Sequence, residues 1–355
     1  MSENHNCILV DWFSAVCFLT DYNELFPVLG LISPECNHFK EGSGKHGYRN
    51  CVYLIDEAEK SRGLFIYYNY FDDEELEGSG LPRRVWLEMS GIGCRAFESL
   101  AVDVTFMDIL QMCDVDRPDE EPFFKINRLD IAYDIYNDPL LFDRVKAARA
   151  DGCIISPLSS SQLVEDVQLI GGSSPQFTGR TLYFGSAQSE IRFRLYDKKL
   201  ERHRDDIDSW FRWEVQLRRD EALRFVDALI CVSKDESPNI GDCYKSLLDS
   251  YIRIVQRDPN DSNYRRWSSP VWWKRFTSHI LKYDHLSKKG MDYNILNAVY
   301  LVENQYGNTI DTILKTLGEA ALLDLVRNRS QQLNFKQLNA IRLYHMERCD
   351  SDENT

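Results

Sequence analysis

The chain has 355 residues, 43% of them hydrophobic and 12% aromatic, which is enough apolar material to bury a core in two or three packed units. No run approaches the roughly 18 uninterrupted apolar residues that a spanning helix needs, and the N-terminus MSENHNCILVDW lacks the basic start and small-residue cleavage site of a secretory leader. A cytoplasmic protein with no membrane association is expected.

The formal charge of −14 argues at first against nucleic acid, because a DNA binder usually shows a basic footprint. Its distribution qualifies that argument. Residues 1–124 hold 9 Lys and Arg against 23 Asp and Glu, whereas residues 125–355 hold 33 of each, so all the net charge sits in the first third. The 10 cysteines include no CxxC pair, which excludes a zinc ribbon or a redox couple and leaves reduced thiols. Cys94 lies in a glycine-flanked turn, but no histidine stands near it in sequence to activate it.

The first predicted strand, ILVDWFSAVCFL (8–19), is β-branched and aromatic and carries Asp11. A helical pattern follows at YNELFPVLGLI. Strands are then expected at GYRNCVYLID, GLFIYYNY and RVWLEMSG, with one helix running from near Cys94 through RAFESLAVDVTFMDILQMC. A second copy of this plan opens with INRLDIAYDIY (126–136), which carries Asp130, and continues with the helix LLFDRVKAARA. Its remaining strands are VQLIGG, RTLYFGSA, IRFRLYDKK and WFRWEVQLR, closed by the helix DEALRFVDALI. The expected fold is α+β: two pseudo-repeated βαβββα-like halves (1–124 and 125–235) joined in a curved antiparallel sheet with helices on one face. From about 236 apolar residues recur at helical spacing, for example in YKSLLDSYIRIV, WWKRFTSHIL, YNILNAVYLVENQY and FKQLNAIRLYHM, so a helical unit is expected over 236–355.

Strand alternation sorts the polar residues of the second half. In IRFRLYDKK, Ile191, Phe193 and Leu195 face one way and Arg192, Arg194, Tyr196 and Lys198 the other. In WFRWEVQLR, Glu214 is the sole carboxylate of its face, beside Arg212, Gln216 and Arg218. In RLDIAYD, Asp130 and Asp134 point together. Neighbouring strands would thus collect a phenol, three carboxylates and several arginines on one solvent-facing patch. Oxygen ligands of this kind suit Mg²⁺ or Mn²⁺, and arginines grip phosphate bidentately. Nearby positive charge would also offset the roughly 4 kcal/mol needed to ionise a phenol of pKa about 10 at pH 7. The same alternation is what any half-exposed sheet displays. Residues 253–289 carry nine basic against three acidic side chains, interleaved with aromatics, so Arg265, Arg266, Lys274 and Arg275 join Arg212 and Arg218 as candidate DNA contacts, although a solvated face beside a tryptophan cluster reads the same way.

Several strings, in order, resemble the replication initiation factors of rolling-circle plasmids and integrative elements, the trans-acting Rep family. They are VDWFSAVCF, VWLEMSGIGCRAFE with its Met-Ser-Gly-x-Gly-Cys-Arg turn, RLDIAYD, TLYFGSAQSEIRFRLYDKKLE, WFRWEVQLR and PVWWKRF, spread over roughly residues 8–280. The resemblance implies a bacterial nickase in which a strand-borne tyrosine, here Tyr196, attacks a DNA phosphate and leaves a 5′-phosphotyrosine and a free 3′-hydroxyl. It implies Arg192, Arg194 and Lys198 as the catalytic surroundings, and Glu214, Asp130 and Asp134, in that order, as ligands of the metal. It also implies origin DNA, as a hairpin or single strand, as the substrate, a homodimer, and a host helicase as a further partner. The first half keeps Asp11 and Glu88 but has Ala15 where Asp134 stands and lacks the basic strand, so it is expected to complete the sheet and to hold DNA without chemistry. A DNA-binding regulator that does not cut is the alternative.

Overall fold

A computed structural model describes residues 5–19, 21–31, 39–55, 60–69, 84–113, 123–136, 138–169, 176–204, 206–230, 240–281 and 295–329. The chain forms β1 (Cys7–Cys17), α1 (Leu25–Val28), β2 (Phe39–Ser43), β3 (Asn50–Ile55), β4 (Ser61–Tyr68), β5 (Val85–Met89), α2 (Gly91–Leu100) and α3 (Phe106–Gln111). It continues through β6 (Phe124–Tyr136), α4 (Leu141–Ala150), β7 (Ile154–Ile155), β8 (Ser161–Gln168), β9 (Gln176–Phe184), β10 (Ile191–Asp197), α5 (Lys198–Glu201), β11 (Trp210–Arg218) and α6 (Arg219–Ile230). Then follow α7 (Ile240–Tyr251), β12 (Arg253–Ile254), α8 (Val271–Ile280), α9 (Ile295–Leu317) and α10 (Glu319–Arg329).

Ten strands make one sheet in the order β2-β3-β4-β5-β1-β6-β11-β10-β9-β8, and every pairing is antiparallel. The seam is β1 against β6. Outward from it the strands run β1, β5, β4, β3, β2 on one side and β6, β11, β10, β9, β8 on the other. Mixed helix and antiparallel sheet is therefore the fold, as the apolar periodicities indicate.

Alternation supplies the core. Leu129, Ile131, Tyr133 and Ile135 of β6, with Phe211, Trp213, Val215 and Leu217 of β11, are all buried against apolar side chains of α2, α4, α6, α7 and α8. The stretch from 240 to 281 belongs to this same core. Trp273 of α8 packs 5.5 Å from Trp213, and the Tyr244 hydroxyl of α7 donates to the Trp213 carbonyl at 2.7 Å. β12 pairs with β7, tying the chain beyond α7 back to the second half.

Several local features differ from the sequence reading. The two edge strands, β2 and β8, are polar (FKEGS and SQLVEDVQ) and show little alternation; polar edges resist pairing with other chains, and this is why β2 goes unanticipated and β8 lies mostly ahead of VQLIGG. The single helix expected after Cys94 starts at Gly91 and breaks into α2 and α3, because Asp103 takes a left-handed backbone (φ 56°) and Thr105 with Asp108 forms a capping box for α3. β10 ends at Asp197, whose side chain accepts the Leu200 N–H and caps α5, so Lys198 opens a helical turn instead of extending the strand. In β1 a bulge between Val10 and Trp12 shifts the register, so that Val16, not Ala15, shares the outer face with Ser14. The helix expected at FKQLNAIRLYHM lies outside the described residues.

Candidate active site

The site lies on the sheet face turned away from the core. Register places Arg194 opposite Glu214 and Tyr196 opposite Arg212, and then Arg212 opposite Asp134 and Gln216 opposite Asp130. Three adjacent strands thus bring Tyr196, Glu214, Asp130 and Asp134 to one face.

The Tyr196 hydroxyl donates to Glu214 Oε2 at 3.3 Å and accepts from Lys198 Nζ at 3.3 Å. Arg194 Nη2 lies 2.6 Å from the Glu214 carboxylate and its guanidinium 5.0 Å from the Tyr196 ring centroid. Although Lys198 has left the strand, the helical turn still aims its ammonium at the phenol. Arg128 binds Asp130 through Nε at 2.9 Å and Nη2 at 2.6 Å. Arg212 binds both oxygens of Asp134, at 2.6 and 2.9 Å, and gives Nη1 to Asp11 Oδ1 at 2.6 Å. Arg212 is buried and each of its three nitrogens binds a carboxylate.

Burial pushes Glu214 up to about 8, reinforced by Asp11 and Asp130 and opposed by Arg194. Asp130 is likewise raised by burial against the pull of Arg128, and its charge in turn helps to raise Glu214. Burial works to raise Asp11 too, but the charges of Arg212 and Lys198 outweigh it and hold Asp11 below its ordinary value. Lys198 is lowered, by burial first and then by Arg212.

The patch is not open to solvent in the way alternation suggests. Tyr196 is only 7% exposed, and burial, with the charge of Glu214, raises its phenol well above the usual value despite Arg212 and Arg194. Its cover is thin at one point, where the Arg194 side chain is 38% exposed. Arg192 lies with its guanidinium 4.1 Å from the centroid of the Tyr183 ring, and the Nε atoms of Arg192 and Arg194 are buried without a hydrogen-bond partner. Arg218, at the end of β11, donates to the Ala187 carbonyl at 2.8 Å. Arg265, Lys274 and Arg275 are exposed, as is Arg266, which chelates Asp261 at 2.9 and 3.0 Å. Among the described residues no three His, Cys, Asp or Glu side chains gather at metal-binding spacing.

The sequence profile of the replication initiation factor family matches residues 124–327, the stretch that holds Tyr196, Glu214, Asp130 and α8. The chain belongs to that family. Over 295 residues it is 24% identical to the putative DNA relaxase NicK of Bacillus subtilis (strain 168), an alignment covering 80% of this chain and 75% of the relative. The structure resembles that of the rolling circle replication initiator protein from Geobacillus stearothermophilus with a TM-score of 0.65 at 26% identity, covering 81% of this chain and all of the other.

Two members of the arrangement are not assigned by the sequence reading. Arg128, on the same strand as Asp130, is its ion-pair partner, which i, i+2 spacing on a strand makes readable in principle. Asp11 meets Arg212 across the seam only because of the bulge in β1, which leaves no trace in apolar periodicity.

Proposed function

We propose that this chain starts rolling-circle replication or transfer by nicking one DNA strand with Tyr196. The observation that carries the reading is the phenol held between Glu214 and Lys198 on the face where Arg194 and Asp130 converge. The Tyr196 oxygen attacks the scissile phosphorus and its proton passes to Glu214, whose raised affinity for protons suits a general base. A Tyr196–phosphorus bond forms, the bond from phosphorus to the 3′ oxygen breaks, and that oxygen takes a proton from water. The products are a 5′-phosphotyrosine and a 3′-hydroxyl that primes synthesis. Arg192 and Arg194 hold the non-bridging oxygens. Drawing Arg194 onto a phosphate also uncovers the phenol.

Glu214 and Asp130 are the residues that would hold Mg²⁺ or Mn²⁺. Two neighbouring buried carboxyls form an all-oxygen donor set, and such ions often take one or two carboxylates and complete their shell with phosphate and water. A bound ion supplies Lewis-acid polarisation of the scissile phosphate. Asp134, with both oxygens on Arg212, acts as a positioning residue in this reading, and Arg212 with it. Arg218, Arg265, Arg266, Lys274 and Arg275 are assigned to the DNA backbone. A homodimer is supported by the exposed Val302, Tyr306, Leu314 and Leu317 on α9.

The test is incubation of the purified chain with single-stranded origin DNA and Mn²⁺. A DNA-linked species is expected on denaturing gels, absent with EDTA and absent in Tyr196→Phe. The buried state of the phenol favours a second reading, a protein that binds the origin without cutting it; binding with no adduct under any metal would select that one.

A further inference from the structure

The first half of the sheet holds a degenerate copy of the site, and the pairings identify it residue by residue. In the second half Ala132 pairs with Glu214, Glu214 with Arg194, and Arg194 with Tyr183. In the first half Ser14 pairs with Glu88, Glu88 with Phe65, and Phe65 with Tyr53. Two residues along, Arg212 opposite Tyr196 corresponds to Trp86 opposite Tyr67. Once the bulge in β1 is allowed for, Trp12 stands where Asp130 stands. Tyrosine and glutamate are thus kept, as Tyr67 and Glu88, while Arg194, Arg212 and Asp130 are replaced by Phe65, Trp86 and Trp12.

Replacing two cations and an acid by three rings changes what the surface can hold. A phosphate needs the cations, whereas the faces of bases need the rings. Phe65 stacks on Tyr67, 6.0 Å apart at 11°, and Tyr53 lies 5.8 Å from Phe65, tilted at 33°. Trp12, Trp86, Phe65 and Tyr53 all keep part of their surface in solvent, on the face away from the core. The indole N–H groups of Trp12 and Trp86 are buried with no hydrogen-bond partner, so it is the ring faces and not these donors that are open to a ligand. Glu88 is paired with Lys45 at 3.5 Å and lies 3.1 Å from His46 Nε2, and the His46 ring stacks on Trp86 at 4.7 Å.

We propose that this copy binds single-stranded DNA by its bases, so that a strand leaving the Tyr196 site continues over Trp12, Trp86 and Phe65. This rests on the nicking reading for its purpose but not for its measurement. The surface is continuous with the site: Arg128, the partner of Asp130, lies 4.3 Å over the Trp12 ring. From β1 to β3 it spans about 14 Å, at roughly 4.8 Å between strands.

The experiment titrates the full chain with fluorescent oligothymidylate of about 15 nucleotides, near the upper length that one such surface covers. Phe65→Ala and Trp86→Ala are each expected to weaken binding about 5- to 100-fold while leaving the slope of affinity against salt unchanged, because no phosphate contact is lost. Phe65→Tyr should retain affinity. Iododeoxyuridine placed in the oligonucleotide should photocrosslink the unaltered chain at Trp12, Phe65 or Trp86, a readout that needs no variant to fold. Unchanged affinity in folded Phe65→Ala, or crosslinks confined to other residues, overturns the proposal. A DNA adduct on Tyr67 also overturns it, in favour of a second nucleophile, and self-association lost in Phe65→Ala at constant DNA affinity assigns the face to a second copy instead. A chain that forms no adduct with any DNA but still passes the titration removes the nicking reading alone.

Discussion

Arg212 is the residue on which the site's geometry turns. Its guanidinium ties β11 to Asp134 on β6 and to Asp11 on β1, across the seam between the two halves of the sheet. Removing one member of a buried ion cluster strands the others, so Arg212→Ala is expected to cost about 3–5 kcal/mol in urea denaturation. Sequence alone presents Arg212 as one more cation beside the proposed nucleophile, Tyr196, and a candidate DNA contact. Only the register, which sets it opposite Asp134, gives it an internal role. Tyr196 and Glu214, by contrast, are legible from alternation, since both lie on strands whose apolar faces are unambiguous. The covering of the phenol is not legible, because it depends on where arginine and lysine heads fold back. Cys94 is buried, and that burial raises its thiol well above the ordinary value despite Arg95 nearby. Iodoacetamide at pH 8 is therefore expected to leave Cys94 unlabelled in the native chain and to label it only in denaturant, as peptide mass spectrometry would record.

Among the elements, the turn from β5 into α2 explains its own composition. Ser90 caps α2 and donates its backbone N–H to the Gly63 carbonyl at 2.8 Å, while Arg95 binds the Val10 carbonyl at 2.5 Å and Glu98 at 2.9 Å. Gly63 has φ 74°, and a Cβ on Gly93 would stand 2.1 Å from the Gly63 carbonyl oxygen. Gly93→Ala must push two backbones apart, and a loss of about 2–3 kcal/mol is expected, read as a lower melting temperature with nicking retained in the folded fraction. Here the sequence shows a distinctive turn but not its purpose, since the partner glycine lies some thirty residues earlier. Strands with apolar alternation, β3 to β6 and β9 to β11, are legible on their own. The polar edges β2 and β8 are not, because an edge strand that resists aggregation looks like a loop.

At the scale of the molecule, the sheet and the helices up to Ile280 melt as one unit if their cores are one. Trp273 is 2% exposed and packs on Trp213 at the centre of β11. Trp273→Ala is expected to cost about 3–5 kcal/mol and to shift the far-ultraviolet circular dichroism and tryptophan fluorescence transitions together; transitions that separate would show that α8 is an independent body. The helical character of this region is plain from its periodicity. That it completes the core of the sheet is not, because an amphipathic stripe does not say which surface will cover it.

The position of β1 has a consequence for synthesis. β1 precedes the other described strands in the chain yet is interior to the finished sheet, and its longest pairing is with β6, where Cys7 meets Asp134 after more than a hundred intervening residues. Until that stretch emerges, five strands are ready to assemble with one flank of β1 bare, offering unpaired amides to any neighbouring nascent chain. Closing so distant a contact is slow, and the exposed flank is the hazard while it lasts. Polar outer strands protect the mature protein, but the growing one must be guarded by speed or by a chaperone.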